Sequence, residues 1–174
     1  AKDGQLSLEV QANLDSQMPF LPRFGLCLPL VDAQTVHYLG QGPFENYADK
    51  QAASYRAQFS LDAGDFYEPY IKPQENGNRS QVAWLEVVQA PVLWQVQDQT
   101  PASSGLNFSL SPYSAQTLSQ TSHRDQLPEP SGYYLNLDLA QSGLGTNSCG
   151  PALPDAYRIT GPSLSCRWIM AWRP

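Results

Sequence analysis

The chain has 174 residues, of which 41% are hydrophobic and 15% are charged, and its formal net charge is -6. This length and composition predict one globular domain over residues 1–174, large enough to bury a single core. The ten basic residues are scattered singly, which argues against a nucleic-acid partner, and no apolar run approaches the roughly 18 residues of a membrane span.

Short alternating segments dominate the chain. Residues 5–12 alternate polar and apolar side chains, so a pleated strand there places Leu6, Leu8 and Val10 on one face. Further strands are predicted at 24–30, 36–39, 82–88, 92–96, 106–110, 134–139 and 166–172. Pro29 has no amide hydrogen for a sheet ladder, which predicts that its strand lies at a sheet edge or that Pro29 is near the strand's end.

Helical signals are few. Residues 114–123 predict a helix with Ser111 or Ser114 available as its N-cap, and residues 51–59 allow one or two helical turns. Many short strands separated by turn residues, with hardly any helix, favour an all-β antiparallel sandwich or barrel.

Residues 143–151 form the most distinctive loop of the sequence. Three glycines and one proline among these nine residues predict a shaped turn rather than a slack connection. The loop follows a half-buried strand and carries Cys149 at a polar tip, a place where all-β scaffolds often present functional side chains. The alternative is a tight β-turn that holds a small buried thiol.

The chain has three cysteines, which is a small and odd number for a disulfide framework: Cys27, Cys149 and Cys166. It contains no CxxC pair, so the sequence does not predict a zinc site. We therefore expect reduced thiols and a cytoplasmic protein. The N-terminal residues show no signal-peptide pattern. Because an initiator Met is missing and the chain opens on a strand, we expect a piece of a longer polypeptide.

Candidate chemistry is sparse. His37 and His123 lie in no motif with a nucleophile or a metal-ligand spacing, so we interpret both as structural. Glu45 and Glu75 lie in loops rich in aromatic residues, Asn and Gly, a composition that suits sugar binding. The alternative is that both glutamates bond backbone amides and stabilise their own loops. Four tryptophans lie in predicted strands and are interpreted as core residues: Trp84, Trp94, Trp168 and Trp172.

Five segments, in order along the chain, resemble one known family. Residues 40–49 read GQGPFENYAD and resemble the G-x-G-P-x-E-N-Y-x-D signature of the C-terminal domain, or small chain, of family 2 β-galactosidases. Residues 70–79 read YIKPQENGNR and resemble the Y-x-x-P-Q-E-N-G-x-R segment of that domain. The other matching stretches are 109–123, 135–138 and 143–145.

This resemblance implies a β-supersandwich of the galactose-mutarotase-like type, of which the chain is the C-terminal part. It also implies that the catalytic glutamates and the magnesium and sodium ligands lie in other domains. No cofactor is therefore expected in this chain, and neither Glu45 nor Glu75 is assigned a catalytic role. The partners expected are the remaining domains or a large subunit of a β-galactosidase, galactoside sugars and, as a further option, a second copy of the chain.

One site position is carried over from the family. In its best-known bacterial member, the loop that matches residues 143–151 brings a Trp into the active site, where it stacks on the leaving-group half of the sugar. Cys149 stands at the matching position, so we expect a weaker grip on a glucose leaving group and a roomier acceptor site. Asn147 and Ser148 flank Cys149 and are expected to contact substrate hydroxyls.

The leading hypothesis is therefore part of a β-galactosidase, with retaining hydrolysis by two carboxylates of a separate barrel domain and no activity of this chain alone. A second hypothesis is a stand-alone galactose-binding or mutarotase-like module. In that module His37 or His123, together with Glu45 or Glu75, would act as acid and base. A third hypothesis is a purely structural interaction domain that pairs through an exposed sheet edge.

Overall fold

The computed structural model describes residues 4–146 and 149–173. These residues fold into two antiparallel sheets, which confirms the all-β prediction. The strands of this part of the chain are β1 (Gln5–Asn13), β2 (Arg23–Leu30), β3 (Thr35–Gly42), β4 (Tyr55–Asp62), β5 (Arg79–Val82), β6 (Trp84–Gln89), β7 (Val92–Asp98), β8 (Leu106–Ser111), β9 (Tyr133–Gln141) and β10 (Ser163–Arg173).

The two sheets differ in size. The larger sheet has the strand order β1-β10-β7-β6-β3-β4, and the smaller sheet has the order β2-β9-β8-β5. The neighbouring strands β6 and β7 pair as a hairpin, whereas β1 pairs with β10 from the opposite end of the sequence. β2 lies at an edge of the smaller sheet, as its proline predicts.

The apolar faces of the two sheets pack against each other and form one core. Tyr38 on β3 and Phe108 on β8 belong to different sheets, and their ring centroids lie 5.2 Å apart. Phe66, from the short 3-10 turn after β4, completes the cluster at 6.1 Å from Tyr38 and 5.5 Å from Phe108. All three side chains are fully buried, so this aromatic cluster joins the two layers.

Helix occupies little of the described chain. Helix α1 spans Ala115–Gln120, shorter than the predicted 114–123, and the Ser114 side chain caps it by accepting a hydrogen bond from Thr117 N at 3.0 Å. Short 3-10 turns lie at Ala63–Phe66, Arg124–Gln126 and Asp155–Tyr157. No helix within residues 4–146 and 149–173 has the length and apolar character needed to cross a membrane.

The helical turns predicted at 51–59 were wrong, because most of that segment belongs to strand β4. Tyr55, Ala57, Phe59 and Leu61 alternate with polar residues, and this period of two fits an edge strand with one face on the core. β4 pairs along its whole length with β3. Tertiary pairing therefore overrides the modest helix propensity of the alanines before it.

The aromatic cluster provides a stability test. Phe108→Ala is expected to lower the free energy of unfolding by about 3–5 kcal/mol, because it removes a buried ring between two rigid sheets. Phe44→Ala is the matched control, because the Phe44 side chain is 59% exposed, and it should leave stability nearly unchanged. Urea unfolding followed by tryptophan fluorescence measures both, and equal effects of the two substitutions would contradict this account of the core.

Candidate functional site

The segment 40–49, here called the signature segment, leaves the end of β3 and forms a loop shaped by a buried asparagine. The Asn46 side chain donates from Nδ2 to the carbonyl oxygens of Gln41 at 3.1 Å and Phe44 at 2.9 Å. Its Oδ1 atom accepts hydrogen bonds from Ser80 N at 2.9 Å and from Ser80 Oγ at 2.5 Å. One amide side chain therefore closes the loop and ties it to β5.

Glu45, the neighbouring residue, is a buried carboxylate whose oxygens are occupied by protein donors. Lys50 Nζ and the Tyr70 hydroxyl donate to Oε1, and the Gly77 backbone amide donates to Oε2 at 2.9 Å. Burial alone would raise the pKa of Glu45, but these three bonds outweigh it and hold the pKa below its usual value. Glu45 thus joins the signature segment to residues 70–79, and the one backbone amide that it binds belongs to that second segment, not to its own loop as the structural alternative predicted.

Glu75 is engaged differently, in an ion-pair network at the edge of the smaller sheet. Arg23 on β2 contacts the Glu75 carboxylate, and it also donates to Asp138 on β9 through Nε at 3.1 Å and Nη2 at 2.8 Å. Asp138 is buried, whereas the Glu75 side chain is about half exposed. Glu75 therefore binds a guanidinium group from strand β2, not the backbone amides of its own loop.

Burial disfavours the charged form of both partners of the Arg23–Asp138 ion pair, but only for Asp138 does its effect on the pKa exceed that of the opposite charge. Burial disfavours the charge of Arg23, but Asp138 and Glu75 more than compensate and raise the pKa of the guanidinium group. For Asp138 the balance is reversed: burial outweighs the attraction of Arg23 and raises the carboxyl pKa to about 6. The difference follows from exposure, because Arg23 keeps contact with water and Asp138 does not.

The signature segment ends in a tight turn that holds the 143–151 loop. Backbone hydrogen bonds link Tyr47 and Lys50 in both directions, at 3.0 Å and 2.9 Å, and leave Asp49 at the turn. The Asp49 carboxylate accepts hydrogen bonds from Leu144 N at 2.9 Å and from Gly145 N at 2.8 Å. A side chain of the signature segment therefore binds the base of the loop that the sequence singled out.

The loop itself is closed by internal hydrogen bonds, which confirms the prediction of a shaped turn. Thr146 Oγ1 donates to the carbonyl oxygen of Pro151 at 3.1 Å, and Cys149 N donates to the carbonyl oxygen of Thr146 at 3.0 Å. Cys149 is exposed, so the alternative of a buried thiol was wrong. The other two predicted substrate contacts, Asn147 and Ser148, lie outside the described residues.

A cleft of about 370 Å³ lies where these segments meet. Its lining combines carboxylate, phenol and amide side chains with backbone of the 143–151 loop: Glu45, Tyr47, Tyr70, Gln74, Glu75, Leu144 and Gly145. A larger groove of about 420 Å³ lies between the segments 14–21 and 159–162, but Asp15 is the one charged residue in its lining. The smaller cleft has the chemistry of a polar binding site, and the larger groove does not.

Comparison with known proteins assigns the family. The family model described as the β-galactosidase small chain matches residues 1–170 of the chain. This chain belongs to the β-galactosidase small-chain family. The resemblance of the five sequence segments is therefore confirmed over nearly the whole chain.

Two relatives show how much of the complete proteins this domain represents. The β-galactosidase of Staphylococcus xylosus is 38% identical over 160 residues, or 91% of this chain, and that of Actinobacillus pleuropneumoniae is 36% identical over 167 residues, or 95%. Each alignment covers 16% of the relative. The chain thus spans about one sixth of the length of these β-galactosidases.

Neither histidine joins the polar cleft of this small-chain domain. Glu45 and Glu75 line the cleft, whereas His37 and His123 are absent from its lining. His37 lies on β3 opposite Ser60, and His123 precedes a 3-10 turn. Within residues 4–146 and 149–173, no cluster of three or more His, Cys, Asp or Glu side chains could hold a metal ion.

The tryptophans divide between core and surface. Trp168 is buried, as predicted, whereas Trp172 is 41% exposed and the prediction that it is a core residue was wrong. Trp172 packs against Trp94 on the neighbouring strand β7, with ring centroids 6.0 Å apart. Trp84 and Trp94 are partly buried. None of the four lines the polar cleft.

Sequence reasoning missed three residues of this region. Asp49 is only the last letter of the signature in the sequence, although Asp side chains in turns are frequent acceptors for backbone amides. Arg23 begins β2 and Asp138 lies within β9, 115 residues further along the chain, and no local pattern pairs them. Their proximity follows from the pairing of β2 with β9.

Glu45→Gln tests the role of the buried carboxylate. The substitution removes the ion pair with Lys50 and one anionic acceptor, so it is expected to lower the free energy of unfolding by about 2 kcal/mol at neutral pH. Chemical denaturation measures the change, and Glu129→Gln, at an exposed position, is the control. A Glu45→Gln variant as stable as the wild type would refute the joining role assigned to this residue.

Asp138→Asn tests the pKa of the buried carboxyl group. Because the folded pKa is above the unfolded value, the wild type loses stability as pH rises from about 4 to about 6, by about 2–3 kcal/mol, relative to the variant. Unfolding experiments at several pH values measure this difference. Asp65→Asn, at an exposed position, shows the effect of removing a surface carboxylate. A wild-type minus Asp138→Asn difference that does not vary with pH would contradict the raised pKa.

Proposed function

We propose that this chain is the C-terminal part of a β-galactosidase that hydrolyses terminal β-D-galactosides such as lactose. The observation that supports this most strongly is the match to the β-galactosidase small chain over residues 1–170, together with relatives named β-galactosidase. The chain would act by closing one wall of an active site whose reacting groups are supplied by the rest of the enzyme.

The chemistry of a retaining glycosidase supports this division of labour. Such an enzyme needs one carboxylate as nucleophile and a second carboxyl group as acid and base, on opposite sides of the bond that breaks. Glu45 is held by three protein donors with a lowered pKa, and Glu75 is paired with Arg23. Neither carboxylate is free to serve, so we propose that the catalytic pair lies in another domain of family 2 architecture.

The 143–151 loop is the part of the chain that we propose to face the substrate. Its base is bonded to Asp49, its tip is closed by internal bonds, and the Cys149 side chain is exposed. A thiol offers less surface to a sugar ring than an indole, so the leaving-group side of the pocket would be roomy and would hold glucose weakly. Asn147 and Ser148 are proposed to contact sugar hydroxyls.

The complete enzyme would be either one long polypeptide or a small subunit associated with a large one. In both arrangements the chain alone is proposed to be inactive and cytoplasmic, and association with a second copy remains part of the proposal. The magnesium and sodium ions that the family resemblance implies are proposed to bind in other domains of the enzyme.

The mutarotase-like alternative has no comparable support. It requires a histidine and a glutamate within hydrogen-bond reach in one cleft. The cleft that contains Glu45 and Glu75 is not lined by His37 or His123. A stand-alone sugar-converting module is therefore not proposed.

Cys149→Trp in the complete enzyme tests the proposed wall. The new indole is expected to stack on the leaving-group sugar and to lower the KM for lactose about fivefold, equivalent to about 1 kcal/mol. An aryl galactoside, which lacks the second sugar, should respond less. Assays of both substrates, after mixing this chain with the remaining portion of the enzyme, measure the effect.

The matched control is Cys27→Trp, because Cys27 is also exposed but lies on β2, outside the loop. Restored activity that depends on this chain, with selectivity changed by Cys149→Trp and not by Cys27→Trp, is the expected result. If Cys149→Trp leaves the selectivity between the two substrates unchanged, or if omitting the chain does not alter hydrolysis of either substrate, the proposed wall is wrong.

A further inference from the structure

We propose that Asp49 is a positioning residue that sets the leaving-group selectivity of the enzyme by holding the base of the 143–151 loop. This inference rests on the proposed function of that loop. It assigns a role in substrate discrimination to a side chain of the signature segment that binds the base of the loop.

The contact between Asp49 and the loop uses both carboxylate oxygens. Oδ1 accepts from Leu144 N at 2.9 Å, and Oδ2 accepts from Gly145 N at 2.8 Å. Two consecutive backbone amides bound by one carboxylate fix the direction of the backbone as well as its position. A single hydrogen bond would leave the loop free to rotate about that bond.

The loop has the sequence that this contact requires. A Cβ atom added at Gly143 would lie 2.5 Å from the Asp49 Cγ atom, so a larger residue would displace the carboxylate from its two amides. Gly145 has a φ of +69°, in the left-handed region that favours glycine. Gly143 therefore permits the close approach of the loop to Asp49, and Gly145 permits the backbone turn at the second amide that Asp49 binds.

Asp49 is itself held in place from the core side. The turn that carries it is closed by the paired backbone bonds of Tyr47 and Lys50, and Tyr47 is buried. Lys50 also binds the buried Glu45 carboxylate, which accepts from Gly77 N. The position of Asp49 is therefore determined by the packed interior, and the carboxylate transmits that position to the loop.

The other hydrogen bonds described for the loop lie on either side of the two amides that Asp49 binds. Gly143 N donates to the carbonyl oxygen of Tyr157 at 2.9 Å, just before the two amides that Asp49 binds. Beyond them, Thr146 bonds to Pro151 and Cys149 within the loop. Cys149 is bonded to the residue that follows the two amides bound by Asp49, so a change in the direction of residues 144–145 is expected to displace Cys149 as well.

The test combines Asp49 variants with Cys149→Trp in the complete enzyme. Asp49→Ala removes both acceptors, whereas Asp49→Asn keeps one oxygen and places an NH2 group against the second amide. The readout is the ratio of kcat/KM for lactose to kcat/KM for an aryl galactoside, which a general loss of folded enzyme does not change. Asp65→Asn, an exposed carboxylate in a 3-10 turn, is the matched control.

Cys149→Trp alone is expected to raise the ratio about fivefold. When Cys149→Trp is combined with Asp49→Ala, the gain in the ratio is expected to fall below about twofold. With Asp49→Asn the gain should be intermediate, and with Asp65→Asn it should be retained in full. Because an indole stacks only when it is correctly placed, this coupling reports on loop position. Asp49→Asn keeps the experiment interpretable if Asp49→Ala does not fold.

Two results would overturn the inference about Asp49, and a third, different result would overturn the proposed function of the loop. If the full gain from Cys149→Trp persists in Asp49→Ala, Asp49 does not position the loop. If the Asp49 variants lower the melting temperature and both activities equally, with no change in the gain, the role is purely structural. If Cys149→Trp alone leaves the ratio unchanged, the proposed wall function itself is wrong.

Discussion

The buried carboxylate of Glu45 is the interaction on which the polar end of this domain depends. It accepts bonds from Lys50 and Tyr70 and from the backbone of Gly77, and so joins two segments that are 32 residues apart in sequence. A carboxylate removed from water is costly unless its oxygens are satisfied, and here the protein satisfies them. Any rearrangement of either segment would leave a buried charge without partners, which makes the arrangement rigid.

This rigidity changes how the signature segment is interpreted. Its Asn, Glu and Asp side chains have the composition of a sugar site, yet the structure uses Asn46, Glu45 and Asp49 to bind protein groups. Each of these side chains links the segment to a different stretch of the chain: β5, residues 70–79 and the 143–151 loop. The segment is therefore a junction, and the loop that it supports is the element that we propose to meet the substrate.

The two-sheet core explains why such a junction can be precise. Tyr38, Phe66 and Phe108 lock the sheets together at the centre, and loops at the edge start from strands that cannot shift independently. Stable scaffolds of this kind allow a few loop residues to determine selectivity. A domain without its own catalytic carboxylate pair can then still influence which leaving group an enzyme accepts, which is the role proposed for this chain.

The sequence alone determined eight of the ten strands among the described residues, because side chains alternate with a period of two along a pleated backbone and one face must be apolar. It also determined the family, through five ordered segments, and it indicated that residues 143–151 are a shaped loop. The alternation of residues 55–61 was available too, and neglecting it led to the wrong prediction of helical turns there.

Only the tertiary structure decided what the polar residues do. Asp49 bonds to amides 95 and 96 residues away, and Arg23 pairs with Asp138 across 115 residues. No local pattern encodes such contacts, since they arise from the pairing of strands that are distant in the sequence and from the packing of one sheet on the other. For the same reason the exposure of Cys149 and the occupied state of Glu45 became visible only once the chain was folded.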